Sequence, residues 1–334
     1  MSRADLTSPP APSRPAAPTR LVVVALLVVY VVWGSTYLGI RVVVTNGLPA
    51  LMSMGARFVV AGAVLLAVLA ARRGVRTLRV DRRQLAGSAV VGLLLLLLGN
   101  GMVSVAEQTV PSGLAALLVA TTPLWIVVLG PLLGRRTRAA TWIGTVVGFA
   151  GTAVLARPGG QGGEVQWWGI GLILFATSAW AWGSLLSGRL RLPADLIVGA
   201  AYQMLVAGAA MVVTGALAGE ARDLDLAAVP APAWWALLYL TTVGSLVAYT
   251  AYAWLLQNAP LQLVSTYAYV NPVVAVLLGW WLLDEQVTAA VLVGGAVALA
   301  GVAVVVSSER RGATARPPAG APATGAAPAP GDRR

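Results

Sequence analysis

The sequence predicts an all-α polytopic membrane protein, ten transmembrane helices in two inverted repeats of five. Three observations predict it. First, 58% of the 334 residues are hydrophobic and only 10% are charged, and the mean hydropathy is +0.80, well above that of a soluble domain. Second, ten apolar segments are each close to the ~20 residues that a helix needs to cross the hydrocarbon core. Third, the chain copies itself. Trp33-Gly34-Ser35 recurs as Trp182-Gly183-Ser184, Pro111 as Pro260 and Pro123 as Pro272, each 149 positions later. An odd number of spans per copy places the second copy upside down relative to the first.

The segments follow in order. Segment 21–44 carries Trp33, Tyr37 and Arg41 at i, i+4 and i+8, one face of a helix. Segment 50–71 holds Arg57 about a third of the way in, and 84–106 stops before Glu107. Segment 113–133 has Pro123 near its middle, preceded by Thr121 and Thr122. Segment 139–156 is short, so its flanking Arg138 and Arg157 must snorkel. Its Gly144, Gly148 and Gly151 are echoed by Gly294, Ala298 and Gly301 in 288–307, small-residue surfaces for close packing within one chain or at a homodimer seam. Segment 167–187 repeats the first motif through Trp182 and Ser184, and 196–218 follows it. In 233–256, Thr241, Ser245, Tyr249 and Tyr252 keep helical spacing, and in 263–283 Tyr267 and Asn271 share a face beside Pro272. The domain plan is therefore a tail at 1–20, repeats at 21–156 and 167–307, and a tail at 312–334.

Arginine placement sets the orientation. With the N-terminus inside, nineteen arginines fall on the cytoplasmic side, and only Arg157 and Arg222 fall in outer loops. That bias obeys the positive-inside rule and requires an even number of spans, both ends being cytoplasmic. Residues 8–18 are rich in proline and alanine and lack an apolar core with a cleavage site. They read as a disordered tail rather than a signal peptide, and the C-terminal tail has the same character. The net charge of +11 lies in short runs between apolar segments, which fits topology and not a nucleic-acid face.

Composition also removes chemistry. There is no cysteine, no histidine and no lysine, which excludes a thiol nucleophile, a cysteine/histidine metal site and a Schiff base. No cofactor, metal or catalytic residue is expected. A membrane-embedded enzyme would need paired carboxylates or a metal site, and no such constellation flanks Glu220 to Asp225.

Polar groups at depth point to a cavity. Pro123 and Pro272 each remove a backbone donor and free the carbonyl four residues earlier, Val119 and Ala268. Such carbonyls are tolerated where polar side chains, water or a cavity satisfies them. The candidate lining is Trp33, Thr36, Tyr37, Arg57, Thr121, Thr122, Trp182, Ser184, Ser245, Tyr249, Tyr267 and Asn271, with Pro123 and Pro272 as kinks. The competing reading is hydrogen bonding between helices, about 0.6 kcal/mol per contact on average. Arg57 costs about 2.5–3.5 kcal/mol at mid-membrane on insertion scales, so it requires a partner: Glu107, the carbonyls of a broken helix or an anionic group on a substrate. Its alternative role is a clamp between the first two helices. Arg41 lies close enough to the surface to snorkel.

Trp33-Gly34-Ser35-Thr36-Tyr37 with Ile40-Arg41, then Arg57-Phe58, the two prolines and Asp284-Glu285 resemble the drug/metabolite transporter superfamily. The wording is that of its EamA-type ten-helix members, and Gln257-Asn258-Ala259-Pro260 is similar to the YedA-like branch. The resemblance implies two inverted EamA repeats, a central cavity and export of amino acids, other small metabolites or drugs across a bacterial inner membrane. Many members carry an acidic residue after the fourth span as well as after the ninth, and here the first position reads Gly134-Arg135-Arg136. The expected partners are a small-molecule substrate and the lipid bilayer, with no nucleic acid. Lipid or head-group flipping is the alternative activity. No acidic residue lies at depth, so coupling works through Glu107, Asp195, Asp284 or Glu285, or through the substrate's own protonation, with exchange and facilitated diffusion also open.

Overall fold

The computed structural model describes residues 18–314 apart from 136, 138, 157–165, 223, 260 and 265. The described residues form helices and no strand. The helices are α1 (Thr19–Thr45), α2 (Ala50–Arg73), α3 (Arg82–Ala106), α4 (Ser112–Leu133), α5 (Ala139–Leu155), α6 (Trp167–Ser187) and α7 (Leu196–Leu217). Then follow α8, in consecutive pieces Ala231–Tyr239, Leu240–Val247 and Ala248–Asn258, α9, in pieces Leu261–Val264 and Tyr267–Leu283, and α10 (Ala289–Thr314). Eight helices are long and apolar enough to cross a membrane, and Thr141–Leu155 and Tyr267–Leu283 are shorter apolar helices. Most of both expected tails, Pro260, Arg138 and Arg157 lie outside the described residues. Helix α10 continues to Thr314, past the expected start of the C-terminal tail.

Local chemistry sets several ends. Asp81 accepts from the Gln84 N–H at 2.8 Å while the Gln84 side chain accepts from the Asp81 N–H at 3.0 Å, a reciprocal cap that starts α3. Asp195 caps α7 through Ile197 and Val198. Helix α2 stops where Gly74 turns to a φ of 82°.

Besides α9, helices α3, α4 and α8 are irregular inside their described lengths. Helix α4 breaks at Ala120–Thr121, ahead of Pro123, into Ser112–Val119 and Thr122–Leu129. Leu93–Gly101 in α3 and Leu240–Val247 in α8 are π-helical, and a shift of 149 residues carries the first onto 242–250, overlapping the second. The duplication has kept a wide turn in both copies, a feature that clusters at functional sites.

Packing repeats at the same offset. Helix α2 lies along α7 and α5 along α10, so counterparts pair with each other. Helix α1 lies against α8 and α9, whereas α6 lies against α3 and α4. The first helix of each copy therefore packs on the other copy. Close approach depends on small residues: a Cβ on Gly55 would stand 2.7 Å from the Gly208 carbonyl oxygen, and the reverse also holds. Gly144 packs on Gly301 and Val304, and Gly151 on Gly294 and Ala298, which makes that stripe an α5–α10 seam within one chain.

Candidate functional site

The π turn of α8 creates the first element of the site. Its wide winding lets the Ser245 hydroxyl donate to the Leu240 carbonyl five residues back, at 3.0 Å. The Ser245 hydroxyl oxygen in turn accepts from Arg57 Nε at 2.9 Å. Helix α2 puts Arg57 on its buried face, 5% exposed, with Nη1 3.5 Å from Met54 Sδ and the guanidinium 4.7 Å over the Phe58 ring. A Cβ on Gly244 would stand 3.2 Å from Thr36 Cγ2 and 3.8 Å from Arg57 Nη2, so Gly244 lets α1 and α2 converge on α8.

Arg57 has no carboxylate partner. The ion pairs among the described residues are Arg73–Asp195 at 2.8 Å and Arg191–Asp81 at 3.6 Å, both well exposed. Glu107, one of the partners considered for Arg57, does not pair with it: neither carboxyl oxygen accepts a hydrogen bond from the described residues, and Arg41 Nη1 donates to the backbone carbonyl. Arg41 is thus half-buried against the end of α3 and does not reach outward. Arg57 is a buried cation satisfied by one neutral hydroxyl and a weakly accepting sulfur, an arrangement that is costly in an apolar interior.

An aromatic wall stands one turn away. The Trp33 ring lies 4.9 Å from Tyr252 and 5.2 Å from Tyr267, and Tyr252 lies 5.8 Å from Tyr267 and 6.4 Å from Tyr249, mostly edge-to-face. Thr36 is one turn from Trp33 and bonds its carbonyl at 2.7 Å, and Tyr249 is one turn from Ser245 on α8. Helical register thus joins the partner of Arg57 to the wall along α8. Tyr252, on the expected stripe of α8 but not in the candidate lining, is the hub that touches the other three rings. Its helical register with Ser245 was the available signal.

Asn271 ties the wall to α1 and to the preceding turn of α9. Oriented by its neighbours, its side-chain amide donates to the carbonyls of Tyr30 on α1 at 3.2 Å and Tyr267 at 3.1 Å. At the other proline, Thr122 donates to the freed Val119 carbonyl at 2.7 Å, and Thr121 donates to Leu118 at 2.6 Å. Both hydroxyls are thus spent on their own helix. Tyr37 packs beside the core formed by α4, α6 and α10. Ser184 bonds the Trp180 carbonyl at 2.8 Å, and Trp182 and Ser184 sit on α6 against α3 and α4, apart from the Arg57 group. Pro272 is buried in α9, whereas Pro123 is half-buried at the break in α4.

The predicted outer end carries carboxylates that cross between the copies. Glu285 accepts from the N–H groups of Ser112 at 2.7 Å and Gly113 at 3.0 Å, capping α4. Glu220 accepts from Leu51 at 3.0 Å and Met52 at 2.9 Å, capping α2. Glu107, one residue beyond α3, is fully buried. Burial first, and the charge of Glu285 second, push its carboxyl well above the usual range, with Arg41 opposing.

The duplicated helices, the π turns in both copies and the buried cation can be set beside known families. The profile of the EamA-like transporter family matches residues 20–157 and 167–307. The chain belongs to the EamA-like transporter family. A family relative, the "uncharacterized inner membrane transporter YedA" of Escherichia coli (strain K12), is 43% identical over 266 residues, 79% of this chain and 83% of the relative. The "probable terminal-alkyne amino-acid exporter" of Streptantibioticus cattleyicolor is 28% identical over 292 residues, 84% of this chain and 92% of the relative. The "probable amino-acid metabolite efflux pump" of Escherichia coli (strain K12) is 26% identical over 292 residues, 85% and 94% of the two chains. A solved crystal structure superposes with a TM-score of 0.58 at 22% identity, covering 88% of this chain and 99% of the other, and bears on the fold alone. EamA-like membership and the long apolar helices make this an integral membrane protein of a transporter family.

Proposed function

We propose that this chain is a secondary transporter that exports small amphipathic metabolites such as amino acids, or drugs, by alternating access. Ten transmembrane helices form two inverted five-helix repeats, with both chain ends in the cytoplasm of a bacterial inner membrane. The substrate sits among Trp33, Tyr249, Tyr252, Tyr267, Arg57 and Ser245, with Asn271 joining the kinked α9 to α1. Thr36, Tyr37, Thr121, Thr122, Trp182 and Ser184 line the remainder of the path.

One observation carries this reading: Arg57 is 5% exposed and has a hydroxyl where a buried guanidinium needs an anion. A substrate carboxylate supplies that anion bidentately, and the rings one turn away take the apolar part of the same molecule. The names of the amino-acid exporters among the relatives support the same class of solute. Nothing in the donor set favours an enzyme.

Efflux of labelled amino acids and of cationic dyes from overproducing cells tests it. Arg57→Ala removes charge-assisted hydrogen bonds of about 1.5–3 kcal/mol, so carboxylate efflux should fall roughly tenfold or more, with dye efflux less affected. Asn271→Ala should lower both. If neither substitution changes any flux, the site is wrong. If purified protein scrambles labelled lipid in vesicles and binds no solute, flipping of head groups replaces export.

A further inference from the structure

The predicted outer end holds a polar group that the substrate site does not use. Glu107 has 0% exposure, and neither of its carboxyl oxygens has a hydrogen-bond partner. The Ser112 hydroxyl, five residues on, is also buried and unpartnered. Both oxygens of Glu285 act as acceptors, toward Ser112 and Gly113, which is the role of a carboxylate. A cleft lined by Pro111, Gly113, Val276 and Val291 reaches Glu285.

The groups around Glu107 can be enumerated by element. Helix α1 contributes Tyr37 and Arg41, and the turn after α9 contributes Glu285. Arg41 Nη1 donates to the Glu107 backbone carbonyl, and its charge acts on the carboxyl against burial and Glu285. Helices α4 and α6 carry no titratable residue on their described lengths, and Arg57 of α2 bonds Ser245 instead. An ionised Glu107 would be a buried charge whose oxygens receive no hydrogen bond from the described residues, set between the Arg41 guanidinium and a second carboxylate. Burial first and Glu285 second raise its proton affinity, and together they outweigh the opposing charge of Arg41.

We propose that Glu107 is a proton-binding site that latches this end of the bundle. Protonated, it lets the turn after α9 close on the α4 N-terminus through Glu285. Ionised, it repels Glu285, and the relief is separation of the two turns, which breaks the Ser112 and Gly113 caps and admits water to the new charge. Binding and release involve one proton exchanged with the outer solution and no other bond. In transport, which rests on the exporter reading above, the latch makes opening of the outer end depend on external pH.

The chain has no cysteine, so spin labels can be placed singly without background. The full-length protein in lipid nanodiscs, labelled at Gln108→Cys and Gln286→Cys on the two exposed turns, should show one short distance population at low pH. A longer population should replace it as pH rises. Glu107→Gln should hold the short population at every pH, and Glu107→Asp should restore the shift. An infrared band of a protonated carboxyl, seen at the pH that gives the short population, should vanish in Glu107→Gln and persist in Asp284→Asn. A pH-independent distance in the parent, a Glu107→Gln protein that still shifts, a shift that follows Na+ and not pH, or an infrared band unchanged by Glu107→Gln would each overturn the proposal. None of these readouts uses a transported solute. A parent protein that exports nothing would count against the exporter reading and leave the latch standing.

Discussion

Gly34→Ala tests the approach of α1 to α9 on which the aromatic wall depends. A Cβ there would stand 2.6 Å from Val274 Cβ, 2.8 Å from Val274 Cγ1 and 3.1 Å from the Asn271 carbonyl oxygen. Carbon atoms in contact prefer about 3.5–4.0 Å, so roughly 1 Å must be found. Val274 cannot supply it by rotation, because its Cβ is fixed to the backbone and β-branched side chains in helices hold one rotamer. The two helices must separate. Overpacking of this kind costs about 1–3 kcal/mol, against about 0.8–1 kcal/mol recovered when alanine replaces a helical glycine. Separation also stretches the 3.2 Å bond from Asn271 to the Tyr30 carbonyl.

Gly171→Ala provides the reference, since nothing lies within 4 Å of its added Cβ and only the propensity gain remains. Gly183→Ala, the counterpart in the second copy, should fall between, because its nearest neighbour at 2.8 Å is the flexible end of Leu95. Unfolding in mixed micelles should therefore rank Gly171→Ala above Gly183→Ala above Gly34→Ala, with about 1–3 kcal/mol between the extremes. A Gly34→Ala protein as stable as Gly171→Ala would refute the close approach.

Thr122→Val keeps shape but strips the donor from the Val119 carbonyl that Pro123 cannot serve, which should destabilise by about 1–3 kcal/mol in the same assay. Glu285→Ala leaves the Ser112 and Gly113 N–H groups without their acceptor and should cost about 0.5–2 kcal/mol. Glu285→Gln, which keeps one acceptor oxygen, should cost less. The native carboxyl of Glu107 holds its proton above the ordinary value of 4.5 at which the unfolded chain releases it. Its contribution is therefore complete below that pH and is lost as pH rises toward the native value. Thermal melts should show this decline in the parent protein and not in Glu107→Gln.

The apolar helices, the duplication and the glycine seams were legible because each has a linear signature: apolar length, a fixed offset of 149 or a four-residue spacing. Most of the aromatic wall was legible for the same reason, Ser245, Tyr249 and Tyr252 lying in helical register. The π turns were not. In 93–98 every residue is leucine, and a widened turn there leaves no mark on composition or period. The partner of Arg57 was not legible either, because Ser245 is 188 residues away and reaches it only after α8 has taken its wide turn. Arg41 and Glu107 looked like surface charges. Their burial comes from α1 crossing to the other copy, which no local pattern encodes.

The departure from symmetry noted in the sequence bears on mechanism. Glu285 caps α4 from the turn after α9, and 149 residues earlier the same place in the first copy is Arg136. The arginine side chain offers donors and no acceptor, so the sequence supplies no carboxylate at the equivalent position to cap a helix N-terminus. One end of the duplicated bundle is thus provided with crossed carboxylate caps, from Glu220 and Glu285. At the other end the copies are joined by Arg73–Asp195 and Arg191–Asp81, with side chains 29–63% exposed, pairs of a kind that contribute little, and by hydrogen bonds from Arg189 to the Leu133 carbonyl and from Tyr202 to the Leu78 carbonyl at 2.8 Å. A carrier built from two equal copies would weight its two faces equally. Substituting an acceptor for a donor at 136 should therefore stabilise closure of the end that lacks carboxylate caps. With Arg136→Glu, spin-label distances across that end should shorten while those between 108 and 286 lengthen. Unchanged distances at both ends would mean that the caps do not set the resting state.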